Sequence, residues 1–319
     1  MLFHLCYIAL INTIIVLLGY IIIKKRMILV SWIMLILITG IVYSLFLTEG
    51  PIMKMLALMA TTFTAIKVIV VAEGYKDKAL SLTFKQWVVF AIGWMGMRAQ
   101  PFESLGNAPV PGAWPIIKFG ISRIMAGCLL LACAHGIVAL GLSHGVTYVL
   151  VSLVLLVGLS LILHFGLLSI SAGMWRLSGV NTYLLFKQPA KALNLTEFWS
   201  KRWNIAFSEM ISIGVFRPLK TKAGSAVALM AAFVFSGLLH ELALSVPVNS
   251  GYGLPMLYFV IQGVIVLVEK SYILHKTSIL HNKVIARLWT FFWVVVPVPL
   301  LFHTQFIKHV IWPLAGLSI

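Results

Sequence analysis

Apolar runs of about 20 residues recur along this chain, and they constrain its fold more than any other feature. A run of that length crosses the hydrocarbon core of a bilayer as a helix, which satisfies every backbone donor and acceptor internally. Such runs cover residues 3–23, 27–47, 52–72, 119–142, 146–170, 225–246, 254–268 and 288–302. Of the 319 residues, 61% are hydrophobic and only 10% are charged, whereas a soluble domain carries about a quarter. The expected fold is all-α, a polytopic integral membrane protein of about eight transmembrane helices forming one domain over residues 1–319.

Charge placement orients the spans. The chain has 24 Lys and Arg against 8 Asp and Glu, a net charge of +16. Loops 24–26, 73–118, 172–224 and 270–287 hold 20 of those 24 basic residues, and loops 48–51, 143–145 and 247–253 hold none. The positive-inside rule then puts all the basic loops on the cytoplasmic side and the N-terminus outside. A basic excess of this kind needs no nucleic acid partner; the bilayer itself accounts for it. That arrangement requires residues 87–97 to dip into the membrane and return, since the run is only about eleven residues long. Gly93, Gly96, Pro101, Pro109, Pro111 and Pro115 suit irregular backbone there. Residues 3–23 lack a preceding basic region and a clear cleavage site, so a retained first span is expected. The host membrane is expected to be a bacterial cell membrane, or the endoplasmic reticulum in a eukaryote.

One polar stretch, residues 194–241, interrupts this apolar background. It opens NLTEFWSKRWNIAFSEM, passes RPLKTK and ends SGLLHE. Asn194 and Glu197 have the spacing of a capping box, and Glu197 and Lys201 form a favourable i, i+4 pair. The expected element is an amphipathic interfacial helix over 195–213, with Trp199, Trp203 and Phe207 on one stripe and Ser200, Asn204 and Ser208 on the next. Arg217-Pro218 is expected to stop it.

His240 is the strongest chemical candidate, because an ionisable group inside a span is costly and faces a cavity or a partner. The bland alternative is a neutral imidazole bonded to a neighbouring carbonyl. A zinc-hydrolase HExxH pattern is excluded, since Leu244 stands where the second histidine would be. Glu241 points about 100° away from His240 on a helix, so a structural role beside a basic residue of another helix is expected. His135 and His164 lack metal-ligand spacing. His275 and His281 read as solvated loop residues, and His4, His144, His303 and His309 as interfacial. Cys6, Cys128 and Cys133 read as small buried hydrophobes. Lys67 and Arg123 fall within apolar spans, where pairing with Glu73 or Glu103 or snorkelling to the interface are the alternatives. No GxSxG elbow and no phosphate-binding Gly-rich loop occurs.

The segment FWSKRWN, residues 198–204, followed one hydrophobic helix later by His240-Glu241, resembles the plant-type wax synthase branch of the membrane-bound O-acyltransferase superfamily. The following Arg217-Pro218 and the upstream GWMGMRAQPF, residues 93–102, are also similar to stretches of that branch. Ser200 and Lys201 depart from the usual Gly and Arg, which bears on acceptor choice. The resemblance implies an acyltransferase with His240 and Asn204 as catalytic residues. The implied co-substrates are acyl-CoA and a lipophilic alcohol, with no cofactor and no metal. His suits removal of a hydroxyl proton at neutral pH, and Asn204 carries a donor that can polarise a thioester carbonyl. Trp199, Arg202 and Trp203 are candidates for the substrate channel, and Arg217, Lys220 and Lys222 for the phosphates of the donor. Rival expectations are a sterol, glycerolipid or envelope-sugar acceptor, or a lipid transporter with His240 as coupling residue.

Overall fold

The computed structural model describes residues 2–271, 280 and 282–318; His275 and His281 lie outside these. The described residues are helical with no strand. In chain order the main elements are α1 (Leu2–Lys24), α2 (Ile28–Leu45), α3 (Pro51–Gly74), α4 (Phe84–Gly93), α5 (Ala113–Ala139) and α6 (His144–Leu177). After the polar linker come α7 (Leu195–Glu197, continued by a wider π-turn, Phe198–Arg202), α8 (Ile205–Ser245), α9 (Leu254–Lys270) and α10 (Lys283–Leu301). Seven helices among the described residues are long and apolar enough to cross a membrane, and the chain is a multi-pass integral membrane protein. The remaining expected span forms α9, whose 17 residues rise about 26 Å, slightly short of a 30 Å hydrocarbon core.

The chain divides into two compact units, one from the N-terminus to Gln100 with Lys187–His303, the other Pro101–Phe186 with the stretch from Thr304 onward. In the first unit α3 is the central helix, with a continuous buried run from Thr64 to Ala72. Its Ala57 and Leu58 pack on Val42 of α2 and on Phe46, which caps that helix. A second cluster joins Leu195, Leu229, Ile265 and Val266, with Trp199, Phe233, Trp289 and Trp293 against it. In the second unit α5 and α6 pair through small residues. A Cβ on Gly127 would lie 2.7 Å from the Gly158 carbonyl oxygen, and one on Gly120 would lie 2.8 Å from that of Gly166. Lipid tails compete with any apolar side chain, so close backbone contact of this kind supplies the attraction between such helices.

α4 is a ten-residue helix followed by irregular backbone, the form expected of a non-spanning element. Its last turn explains Lys67. The ammonium is 1% exposed and donates to the carbonyls of Phe90 at 3.0 Å, Ala91 at 2.9 Å and Trp94. It also lies over the rings of Phe63 and Phe90. Neither carboxylate pairing nor snorkelling is realised: the C-terminal carbonyls of a helix are orphaned and carry partial negative charge, and they hold the cation instead. Arg123 likewise takes no carboxylate among the described residues and rests on the Phe119 ring.

Three further expectations are corrected. The cysteines are exposed on apolar helix surfaces, the part a bilayer covers, rather than packed in a protein core. The helix expected over 195–213 breaks at Asn204, whose φ of 43° and ψ of 65° are left-handed, so the two i+4 stripes do not form. Arg217-Pro218 does not stop α8. A π-turn over Ser212–Phe216 precedes it, and Pro218 falls in the following first turn, where its missing N–H costs least. The chain bends later, at Gly224, with φ 80° and ψ 170°.

Candidate active site

The break at Asn204 creates the site. Asparagine is the ordinary non-glycine residue for left-handed backbone, and here its Oδ1 accepts the Phe207 N–H at 3.2 Å, capping α8. That contact assigns the side chain's orientation. The Nδ2 amide is the remaining polar group, and it donates to nothing among the described residues.

About four helical turns beyond the bend at Gly224, α8 presents His240. Its Nδ1 lies 2.7 Å from the Ser236 carbonyl oxygen, which can only accept, so Nδ1 carries the proton and Nε2 holds a lone pair in the neutral ring. The rings of Phe207 and Phe259 flank the imidazole at 5.5 Å and 4.3 Å between centroids. The expected bland role, a bond to a neighbouring carbonyl, is thus present, and it uses only one ring nitrogen.

Asn204 and His240 line one cavity of about 390 Å³, within the range of ligand pockets. Trp199, Trp203 and Arg217 of the predicted set also line it, together with Arg98, Glu209, Phe233, Phe259 and Lys270. Arg202, Lys220 and Lys222 do not. Arg202 is bound to Glu197, with Nε and Nη2 at 2.8 and 2.7 Å from Oε1, and Nη1 faces the carbonyls of Lys187 and Gln188 at 3.3 Å. It pins the linker to α7 and takes the carboxylate that the sequence spacing assigned to Lys201. Lys220 rests 5.9 Å from the Phe216 ring centroid, and Lys222 is exposed.

The Trp-rich turn is anchored from α9 by two residues that sequence reasoning passed over. Gln262 is fully buried, accepts the Trp199 indole N–H at 3.1 Å and donates to the Trp293 carbonyl at 2.6 Å. Glu269, seven residues on and therefore on the same face, accepts the Leu195 N–H at 3.0 Å and the Trp289 indole N–H at 3.1 Å. A lone glutamine in an apolar run was the available signal. The Asn194 cap is present, with Oδ1 accepting the Glu197 N–H at 2.7 Å, while Glu197 accepts from Leu193 at 2.9 Å. Trp203 stacks on Phe198 at 5.6 Å. Glu241 has a structural partner, and among the described residues it forms no ion pair with a basic side chain. Oε1 accepts the N–H groups of Gly253 and Met256 at 2.9 and 3.0 Å and so caps the N-terminus of α9.

In an all-helical membrane fold, a part-buried His and Asn line one cavity, and comparison with known proteins finds a likeness over part of the chain. Residues 183–261 match the model of the membrane bound O-acyl transferase family, which bears out over this stretch the resemblance carried by FWSKRWN and His240-Glu241. The chain is 31% identical over 71 residues to a long-chain-alcohol O-fatty-acyltransferase of Simmondsia chinensis, covering 20% of each chain. It is 30% identical over 136 residues to a probable long-chain-alcohol O-fatty-acyltransferase 9 of Arabidopsis thaliana, covering 39% of this chain and 40% of the relative. A third relative, probable long-chain-alcohol O-fatty-acyltransferase 1 of the same plant, is 34% identical over 84 residues, 24% of this chain and 25% of its own. The chain thus spans at most about two fifths of the curated relatives it matches.

Proposed function

We propose that this chain transfers a long-chain acyl group from acyl-CoA to a lipophilic alcohol, forming a wax-type ester. The observation that carries this is the shared cavity of Asn204 and His240, with His240 Nε2 as a free acceptor and Asn204 Nδ2 as a free donor. The names of the relatives, as fatty-acyltransferases to long-chain alcohols, support the same donor and acceptor classes.

The alcohol oxygen attacks the thioester carbonyl carbon while its proton passes to His240 Nε2. Asn204 Nδ2 donates to the carbonyl oxygen as negative charge develops there, a contribution of about 3 kcal/mol for a well-placed donor. The C–S bond then breaks, and the imidazolium returns its proton to the departing thiolate. No covalent enzyme intermediate is needed, since the alcohol is itself the nucleophile. The mostly apolar cavity walls suit an acyl chain, and Arg217 on the same cavity suits the phosphates of the donor.

The test is purified protein in a neutral detergent with a long-chain acyl-CoA and a fatty alcohol. Alcohol-dependent thiol release with a matching ester on thin-layer chromatography is expected. Release that needs a sterol, a glycerolipid or a sugar instead would replace the acceptor, and movement of lipid with no thiol release would replace the enzyme by a transporter.

A further inference from the structure

The segment after α4 is built to bring one guanidinium to the cavity. Lys67 fastens the last turn of α4 at Phe90, Ala91 and Trp94. Trp94 is fully buried, and its indole fills the space a Cβ on Gly96 would need. Two residues on, Arg98 lines the cavity, with Nε 2.9 Å from Oε1 of Glu209 in α8. Glu209 is 7% exposed and Arg98 55% exposed. That ion pair occupies one edge of the guanidinium. Its two Nη groups make no hydrogen bond among the described residues. Arg217 and Lys270 line the same cavity and form no ion pair among the described residues.

We infer that Arg98 is a binding residue for the phosphate groups of the acyl donor, with Arg217 and Lys270 completing the anion site. A guanidinium already oriented by a buried carboxylate presents its remaining donors in a fixed plane, which matches phosphate oxygens and loses little entropy on binding. Glu209 has a second effect. It neutralises part of the charge of Arg98 in the empty cavity and fixes its direction, so it is a positioning residue rather than a ligand. This inference rests on acyl-CoA as donor and replaces Lys220 and Lys222 in the phosphate site expected from sequence.

The experiment compares two donors of the same acyl chain, a long-chain acyl-CoA and the S-acyl-pantetheine, which lacks phosphate. Wild type, Arg98→Lys and the double variant Arg98→Met with Glu209→Met are assayed in neutral detergent micelles. The double variant avoids leaving a buried carboxylate unpaired. The expected result is a KM for acyl-CoA raised about 10-fold or more in the double variant and less in Arg98→Lys, with kcat nearly unchanged. The KM for the pantetheine donor should stay within about twofold, against that 10-fold loss for a charged hydrogen bond. An equal change for both donors would make Arg98 a structural residue and overturn the inference. A change seen only when anionic phospholipid is added would assign the site to a lipid headgroup and overturn it too. If wild type turns over neither donor, the acyltransferase proposal itself fails, a result distinct from both.

Discussion

The Ser236 carbonyl and the His240 Nδ1 lie 2.7 Å apart, one helical turn from each other in α8. This bond fixes the tautomer, aims Nε2 away from the helix backbone and does so with no charged partner. An imidazole oriented by a carbonyl rather than by a carboxylate suits a position within a span, where a second buried charge would be costly.

Asn204 has two separable duties, turning the backbone and offering an amide. Glycine adopts left-handed φ without strain, so Asn204→Gly keeps the turn while removing the side chain. The expected outcome is a folded protein with kcat lowered about 10²–10³-fold, as for loss of one well-placed donor, and KM little changed. Asn204→Ala should lose the same activity and also lower the thermal midpoint, because alanine strains the left-handed turn and removes the cap, at about 1 kcal/mol for the cap. Steady-state kinetics and a melting curve in detergent separate the two effects.

Lys67→Met keeps the volume of the stem and removes the ammonium from three carbonyls. Each orphaned acceptor costs about 1–3 kcal/mol. The thermal midpoint should fall by several degrees, and protease cleavage between Phe90 and Arg98 should become faster. Unchanged stability would remove Lys67 as the anchor of α4.

Glu197 gives a pH test outside the spans. Burial alone pushes its carboxyl up, but the Leu193 N–H bond, the Arg202 hydrogen bond and the charges of Arg202 and Lys201 outweigh that and hold it below the ordinary range. A folded-state pKa below the unfolded value means that the stabilisation is fully present above the unfolded pKa and is lost as pH falls through the folded one. Stability measured as pH is lowered below about 4 should therefore decline, and Glu197→Gln should flatten that decline.

Much of the fold was legible because apolar runs, basic loops and helix breakers act locally. The seven long helices and the short α4 follow from length and composition. Two of the residues that line the cavity, Asn204 and His240, were legible, since a polar Asn and a His in apolar surroundings stand out. What escaped depended on long-range pairing. Arg202 has the same composition signal as Arg98, yet one is sequestered by Glu197 across a π-turn and the other reaches the cavity from the segment after α4. Gln262 and Glu269 act on a turn some 60–75 positions earlier, through contacts that no local spacing encodes. The bend at Gly224 instead of Pro218 depended on a π-turn, which leaves no local signature in apolar sequence.

Ester formation by His240→Ala, at equal protein in the membrane, tests the central claim most directly. With long-chain acyl-CoA and a fatty alcohol, the variant should retain its membrane insertion and lose turnover by about 10²–10⁴-fold, the contribution of a positioned base. Turnover equal to that of the unaltered protein would contradict His240 as the base.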